Sequence, residues 1–333
     1  MEELSTQVVR GFGLKPRNIA KHKLFYICNT DRGPITIRRL RADSTPAQMQ
    51  AAVLFQHKVK ETLYARGFCA LDRFFLSMDR EPFVLHEGQL YVATAYAPQR
   101  EVNFASGPEF GQAVAQVGRM HRLSRSMDAG PCPYASDPIS AEESYQKNLQ
   151  ALISLKKRVS RYRQLSDFDV LFLRHYEDTL AYLGLWRDYM KQSQCDQRVQ
   201  NAIAQGMVCH QLLKEEFLIF RNGELTITNF SECAYGYPAQ DLASLIRRHF
   251  KAAPDNPLDI RSILTTYSAA NPLEPGDLEA LYAILLFPDK FIKICTQYYT
   301  KKRTWIPGTF QVRMDADLGN KDRFRQYISG ILT

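Results

Sequence analysis

The sequence predicts a two-lobed α+β fold, with a small antiparallel-sheet lobe over residues 1–95 and a mainly helical lobe over residues 96–333. Three observations predict it. Strand-like runs, broken by turn signals, surround a single amphipathic helix in the first hundred residues. After Tyr96-Ala97-Pro98 the apolar spacing becomes helical almost throughout. Within that helical half one β-hairpin, at 217–230, interrupts the pattern directly after Cys209-His210-Gln211.

Leu24–Asn29 and Ile35–Leu40 read as strands because Thr30-Asp31-Arg32-Gly33-Pro34 between them is a strong turn signal. A helix follows from Pro46 to Arg66, with Met49, Val53, Val59 and Leu63 near helical spacing and Arg66-Gly67 as its stop. Arg73–Ser77 and, after Glu87-Gly88, Gln89–Thr94 are further strand candidates. Beyond the change of character, Pro108–Leu123 carries Phe110, Val114, Val117 and Met120 on one stripe, and Ala141–Tyr162 is a second helix. A third opens on the capping box Ser166-Asp167-Phe168-Asp169 and lines Phe168, Phe172, Tyr176, Leu180 and Leu183 along one face. The chain beyond Asp241 is helical as well. The inserted hairpin turns at Asn222-Gly223, a pair that favours the type I′ turn whose twist suits paired strands.

The bulk composition narrows the function classes. Hydrophobic residues make up 45% and charged residues 23% of 333, as in ordinary globular domains. The 43 Lys+Arg against 35 Asp+Glu leave a net charge of +8, compatible with an anionic partner. That surplus is spread thinly, so nucleic acid is not the expected one. The seven cysteines form no CxxC pair, which argues against zinc or a disulfide framework and for small buried hydrophobes in a reducing compartment. MEELSTQVVR has acids where a signal peptide has basic residues, and the apolar stretch around Leu281–Phe287 is too short to span a bilayer. Synthesis in the cytoplasm with no membrane partner is the expectation.

The hairpin carries the functional argument. Kinase-like phosphotransferases bring four polar groups to one cleft: a strand lysine for nucleotide phosphates, an aspartate after a His-x motif, then an asparagine and an aspartate that hold Mg²⁺. The catalytic loop runs straight into a hairpin, so both ends of that hairpin face the same phosphates. The order His210-Gln211, Phe217–Phe220, Asn222-Gly223, Leu225–Phe230, Asp241-Leu242-Ala243 resembles that layout. More closely, the chain is similar to the CotS-type family of bacterial spore coat proteins, relatives of aminoglycoside phosphotransferases and choline kinases. The similarity includes the Leu24–Leu40 hairpin, Tyr91-Val92-Ala93-Thr94, Val117-Gly118-Arg119-Met120-His121 and the run from Ser166 to Tyr176. It implies a protein-kinase-like fold of the aminoglycoside phosphotransferase type. It also implies other spore coat proteins as partners and, after cytoplasmic synthesis, location in the coat of an endospore-forming bacterium.

The departures from that pattern fall on the chemical positions. The family's catalytic aspartate falls on Leu212, and its metal asparagine on Phe217, or on Glu216 if the loop is one residue shorter. Its metal aspartate falls on Asn229 and its strand lysine on Arg38. Leucine cannot accept a proton, and a neutral amide replaces a carboxylate poorly on Mg²⁺. A glycine-rich phosphate loop is missing too: Gly11-Phe12-Gly13 precedes the first strand, and Lys21-His22-Lys23 stands at the turn. His210, Phe230 and Asp241, the positions that hold the loop in place, are retained. Loss confined to chemical positions points to a retained fold without catalysis.

Several residues have a plain reading beside a sharper one. Glu232, with Glu216, could rebuild a cation site. Glu61 is the one acid in its helix and so the candidate there to pair with Arg38 at a nucleotide, against the plainer reading of an exposed glutamate. Lys156-Lys157-Arg158 with Arg161 and Arg163 could bind an acidic partner or simply be a solvated face. Tyr298-Tyr299 and Trp305 could be core or interface. Three functions stay open. The first is an inactive kinase-like structural or binding component of the spore coat, with no cofactor. The second is an active small-molecule kinase using ATP and Mg²⁺ through Arg38, Glu216 and Glu232. The third is a basic module for an anionic polymer.

Overall fold

The computed structural model describes residues 4–22, 25–40, 45–133, 140–300 and 307–333, so Lys23, Leu24 and Trp305 lie outside the described residues. The chain divides into two compact units. One comprises Met1–Ser136, Ala202–Asp241 and Ala269–Asn271, the other Asp137–Asn201, Leu242–Ser268 and Pro272–Thr333. Among the described residues no helix is long and apolar enough to cross a membrane.

The first unit opens with α1 (Thr6–Gly11), β1 (Pro16–His22), β2 (Phe25–Thr30), β3 (Gly33–Arg39), α2 (Pro46–Ala65), β4 (Val84–His86) and β5 (Gln89–Ala95). The strands form one antiparallel sheet in the order β1-β2-β3-β5-β4. Period-two alternation sorts its residues between two faces. Ile35, Ile37 and Ala93 pack with Val8 and Val9 of α1 and with Phe12 just after it, while Val92 packs with Val53 of α2 and with Phe74. Arg38 pairs with Val92, next to the pair Ile37–Ala93, so alternation turns Arg38 away from the α1 face. Thr45 caps α2 in a capping box with Gln48, and Pro46 occupies its first turn.

One strand candidate is corrected. Among the described residues, Arg73–Ser77 meets the sheet only through the isolated bridge Phe74–Thr94 and the bond from Phe75 N–H to Ala93 O (2.8 Å). Residues 89–91 of β5 pair with β4, because Glu87 and Gly88 both take positive φ (49° and 73°) and fold the chain straight back on itself.

Then come β6 (Gln99–Glu101) and α3 (Gly107–Ser124), followed by α4 (Ala141–Val159), α5 (Asp167–Gln192) and α6 (Cys195–Ala204). After them the chain forms β7 (Val208–Cys209), β8 (Leu218–Arg221), β9 (Glu224–Ile227), β10 (Ala234–Tyr235) and α7 (Pro238–Ala252). The hairpin β8–β9 turns at Asn222 and Gly223, with φ of 50° and 81°, and β6 adds to its free edge. Val208 and Cys209 pair antiparallel with Tyr235 and Ala234, which brings the two ends of the 210–233 excursion together.

In the second unit, α4 and α5 join α8 (Ile260–Ala270), α9 (Asp277–Leu286), α10 (Asp289–Thr300) and α11 (Pro307–Ser329). The Ser166 capping box forms, and the buried Asp169 that completes it also accepts from Tyr299 Oη (2.7 Å). Phe168 stacks on Tyr298 at 3.9 Å between ring centroids. Tyr298 and Tyr299 are therefore core. Lys156 pairs with Glu177 and Arg158 donates to Tyr299 O, so part of the basic run ties α4 to its neighbours.

Candidate functional site

The loop after β7 is held by one buried carboxylate. Asp241, in the first turn of α7, accepts from the backbone N–H of His210 (2.7 Å) and Gln211 (2.9 Å) and meets His121 Nε2 of α3 at 3.1 Å. Burial by itself would raise the Asp241 pKa, but the hydrogen bond from His121 and the adjacent imidazoles outweigh it and hold the carboxyl below its usual range. Gln211 takes a left-handed φ of 63°, which aims both consecutive N–H groups at the same carboxylate.

His210 is fully buried and reads as one fixed neutral tautomer. Its Nδ1 accepts from Leu212 N–H (3.3 Å) and its Nε2 donates to Thr228 O (2.9 Å), with Phe230 edge-on at 5.0 Å. Burial lowers its pKa against the pull of Asp241. One imidazole thus links the loop to the end of β9. His210, Phe230 and Asp241 are brought together.

The chemical positions are arranged differently. Arg38 Nη1 donates to Asn229 Oδ1 at 2.5 Å. Asn229 has a left-handed backbone (φ 58°, ψ 65°), and its N–H points to Asp72 Oδ2 at 3.4 Å. Asp72 Oδ1 meets Lys60 Nζ at 3.0 Å. Lys60 is 1% exposed and lies 3.8 Å from the Phe74 ring centroid and 5.5 Å from that of Phe230. Burial lowers the Lys60 pKa and Asp72 opposes the shift. The four residues form a chain, Arg38–Asn229–Asp72–Lys60, in which two cations face one carboxylate and one amide.

The pairing of Glu61 with Arg38 does not form. Glu61 makes a two-point contact with Arg73, Oε1 to Nε at 2.9 Å and Oε2 to Nη2 at 2.5 Å. Helical phase is the reason: one residue is a 100° turn, so with Lys60 on the buried stripe Glu61 faces the helix flank. Leu212 is half-buried. Glu216 lies exposed in a short 3₁₀ turn, 3.4 Å from Lys214 Nζ, and Glu232 is exposed at the end of another.

Lys60 and Asp72 escaped the sequence reading. A signal for Lys60 was present, because it lies on the apolar stripe of α2 with Met49, Val53, Gln56 and Leu63, where a solvated lysine has no place. Asp72 had none. Its position depends on the chain after α2 returning beside β9, where Ile227 N–H donates to Ala70 O (2.9 Å).

Residues 6–330 match the family described as spore coat putative kinase YutH. The chain belongs to that family. No curated protein matches it by sequence. Among solved structures, it resembles an aminoglycoside phosphotransferase from Alicyclobacillus acidocaldarius subsp. acidocaldarius DSM 446. The TM-score is 0.85 at 15% identity, over 100% of this chain and 96% of that one. The microcompartment-associated aminopropanol kinase gives 0.56 at 11% identity, over 98% and 97%. Amicoumacin kinase hAmiN, in complex with AMP-PNP, Ca²⁺ and Ami, gives 0.54 at 14%, over 93% and 87%. This member of the YutH family therefore has the aminoglycoside phosphotransferase fold.

That fold implies a metal ion at the end of the hairpin, and the residues do not fit one. The amide oxygen of Asn229 is taken by the Arg38 guanidinium, and the carboxylate of Asp72 by the Lys60 ammonium. A divalent cation between Asn229 and Asp72 would sit beside two cations, the Arg38 guanidinium and the Lys60 ammonium, each already on the oxygen that the ion would need. His121, Cys209 and Asp241 also converge, with ligand atoms within 4.8 Å of one another. Both Asp241 oxygens are already engaged, however, and burial pushes the Cys209 thiol well above its usual range, away from the thiolate a metal needs.

Proposed function

We propose that the chain is a catalytically inactive kinase-fold protein that serves as a structural or binding component associated with the bacterial spore coat. The observation that carries the reading is the Arg38–Asn229 hydrogen bond, made next to the Lys60–Asp72 ion pair. Phosphoryl transfer depends on carboxylates that fix metal ions and orient the acceptor hydroxyl. Here the phosphate-binding strand position holds an amide, and Leu212 stands where the acceptor hydroxyl would be oriented. The family supports the coat as location and other coat proteins as partners. The active-kinase reading, through Arg38, Glu216 and Glu232, has less support, because Arg38 and Glu216 already have partners.

The test uses the purified full chain with ATP, with and without Mg²⁺. The expected outcome is no magnesium-dependent ATP hydrolysis and no phosphotransfer above background to hydroxyl or amine acceptors. Any nucleotide-induced rise in melting temperature should be the same in chelator as in Mg²⁺. A ligand at 100 times its Kd stabilises by about 2.7 kcal/mol, so saturating binding is visible in the melt. Sustained turnover that disappears in Glu232→Ala would replace this reading with the active kinase.

A further inference from the structure

We propose that a pocket formed by α3, the end of α2 and the tip of the β8–β9 hairpin binds a dicarboxylate dianion through Arg119 and Arg122. The cavity is about 720 Å³, the size of small-ligand sites. None of Arg38, Lys60, Asn229, His210 or Asp241 lines it, so it is a separate site from the kinase-type cleft. Its apolar wall includes Leu123 and Leu225, and its charged lining consists of Arg66, Arg119, Arg122 and Glu224.

The three guanidiniums differ in how far they are engaged. Arg66 is committed to structure, since it donates to the carbonyls of Leu123 (2.8 Å), Arg125 (2.6 Å) and Ser126 (3.1 Å) at the end of α3. Cations near a helix C-terminus are usually explained by the helix dipole, and Arg66 already fills that role. Arg119 gives one bond, from Nη2 to Gly67 O (2.9 Å). Arg122 is exposed and has no side-chain partner among the described residues. The one acid of α3, Glu109, is turned to Arg100. Arg119 and Arg122, one turn apart, therefore repel each other with no helix carboxylate between them, and an anion relieves that repulsion.

Charge selects the ligand class. Three guanidiniums against Glu224 leave an excess of two positive charges, which matches two carboxylates. A pyrophosphate would bring more negative charge than the lining neutralises and would meet Glu224. The planar guanidinium fork fits a carboxylate in two-point contact, and the apolar wall accepts the carbon framework between two such groups. The same chemistry is supplied by a free dicarboxylate or by two glutamates on an acidic segment of a partner protein.

Calorimetric titration of the full chain at low salt decides the matter, with glutarate, a capped four-residue peptide with glutamate at each end, and pyrophosphate as probes. Saturable binding of a dicarboxylate is expected. It should weaken about fivefold in Arg122→Gln, the scale of an exposed charge pair, and strengthen in Glu224→Gln. Arg122 has no side-chain bond among the described residues, so Arg122→Gln should melt with the parent. Tighter binding of the peptide assigns the ligand to a partner segment, and equal or tighter binding of glutarate assigns it to a free dianion. Three results would overturn the proposal: no saturable binding of either, unchanged affinity in Arg122→Gln, or pyrophosphate as the tightest probe.

Discussion

At position 229 a single heavy atom separates the amide from a carboxylate. The asparagine tolerates the left-handed backbone (φ 58°) and offers a neutral acceptor to Arg38. Lys60 matters as much. An ammonium with 1% exposure is held by one carboxylate and the faces of two aromatic rings. Lys60→Met should destabilise the chain by about 3 kcal/mol, because it leaves the Asp72 charge uncompensated in a mostly buried setting. Lys60→Met combined with Asp72→Asn should recover most of that loss. Urea unfolding of the parent, the two singles and the double closes the cycle, and additive losses would show that the pair is not coupled. His210 was legible by its place before the hairpin, whereas Asp72, 138 residues earlier in the chain, was not.

Among the elements, the hairpin β8–β9 is the part whose local chemistry and tertiary role agree most closely. Asn222-Gly223 fixes the turn, the turn fixes the register, and the register places Thr228 O against His210 and Asn229 against Arg38. The approach to β7 depends on one glycine. Gly206 has φ +63°, accepts at its carbonyl oxygen from Met127 N–H (3.1 Å), and packs so closely that a Cβ would run into the Met127 backbone. Gly206→Ala should cost about 3 kcal/mol or more, from strained backbone plus a clash that no side-chain rotation relieves. A chemical melt measures it. A loss below 1 kcal/mol would mean that the segment before His210 shifts freely. Strand identity was less legible where pairing was non-local. Arg73–Ser77 has strand composition, but it meets β5 only beside Ala93 and Thr94 before the chain turns at Ser77, where Arg80 N–H donates to Ser77 O.

For the whole molecule, the decisive comparison is restoration. Leu212→Asp with Asn229→Asp should yield no measurable phosphotransfer, since Lys60 stays locked on Asp72, Glu216 remains at Lys214, and positioning supplies most of the catalysis in phosphoryl transfer. The double variant should still fold, because a carboxylate at 229 meets the Arg38 guanidinium in a charge-assisted bond about twice as strong as the present one. Magnesium-dependent turnover in that variant, measured with ATP and a panel of amine and hydroxyl acceptors, would show that two carboxylates are sufficient. The sequence by itself determined the α+β class, the amphipathic helices and the hairpin. Each of these rests on periodicity, turn chemistry or short-range order, which a linear pattern records. Tertiary structure decided the partners: Arg38 with Asn229, Lys60 with Asp72, Glu61 with Arg73. Partnership between distant residues depends on which segments pack side by side and on helical phase to within one residue, and composition along the chain specifies neither.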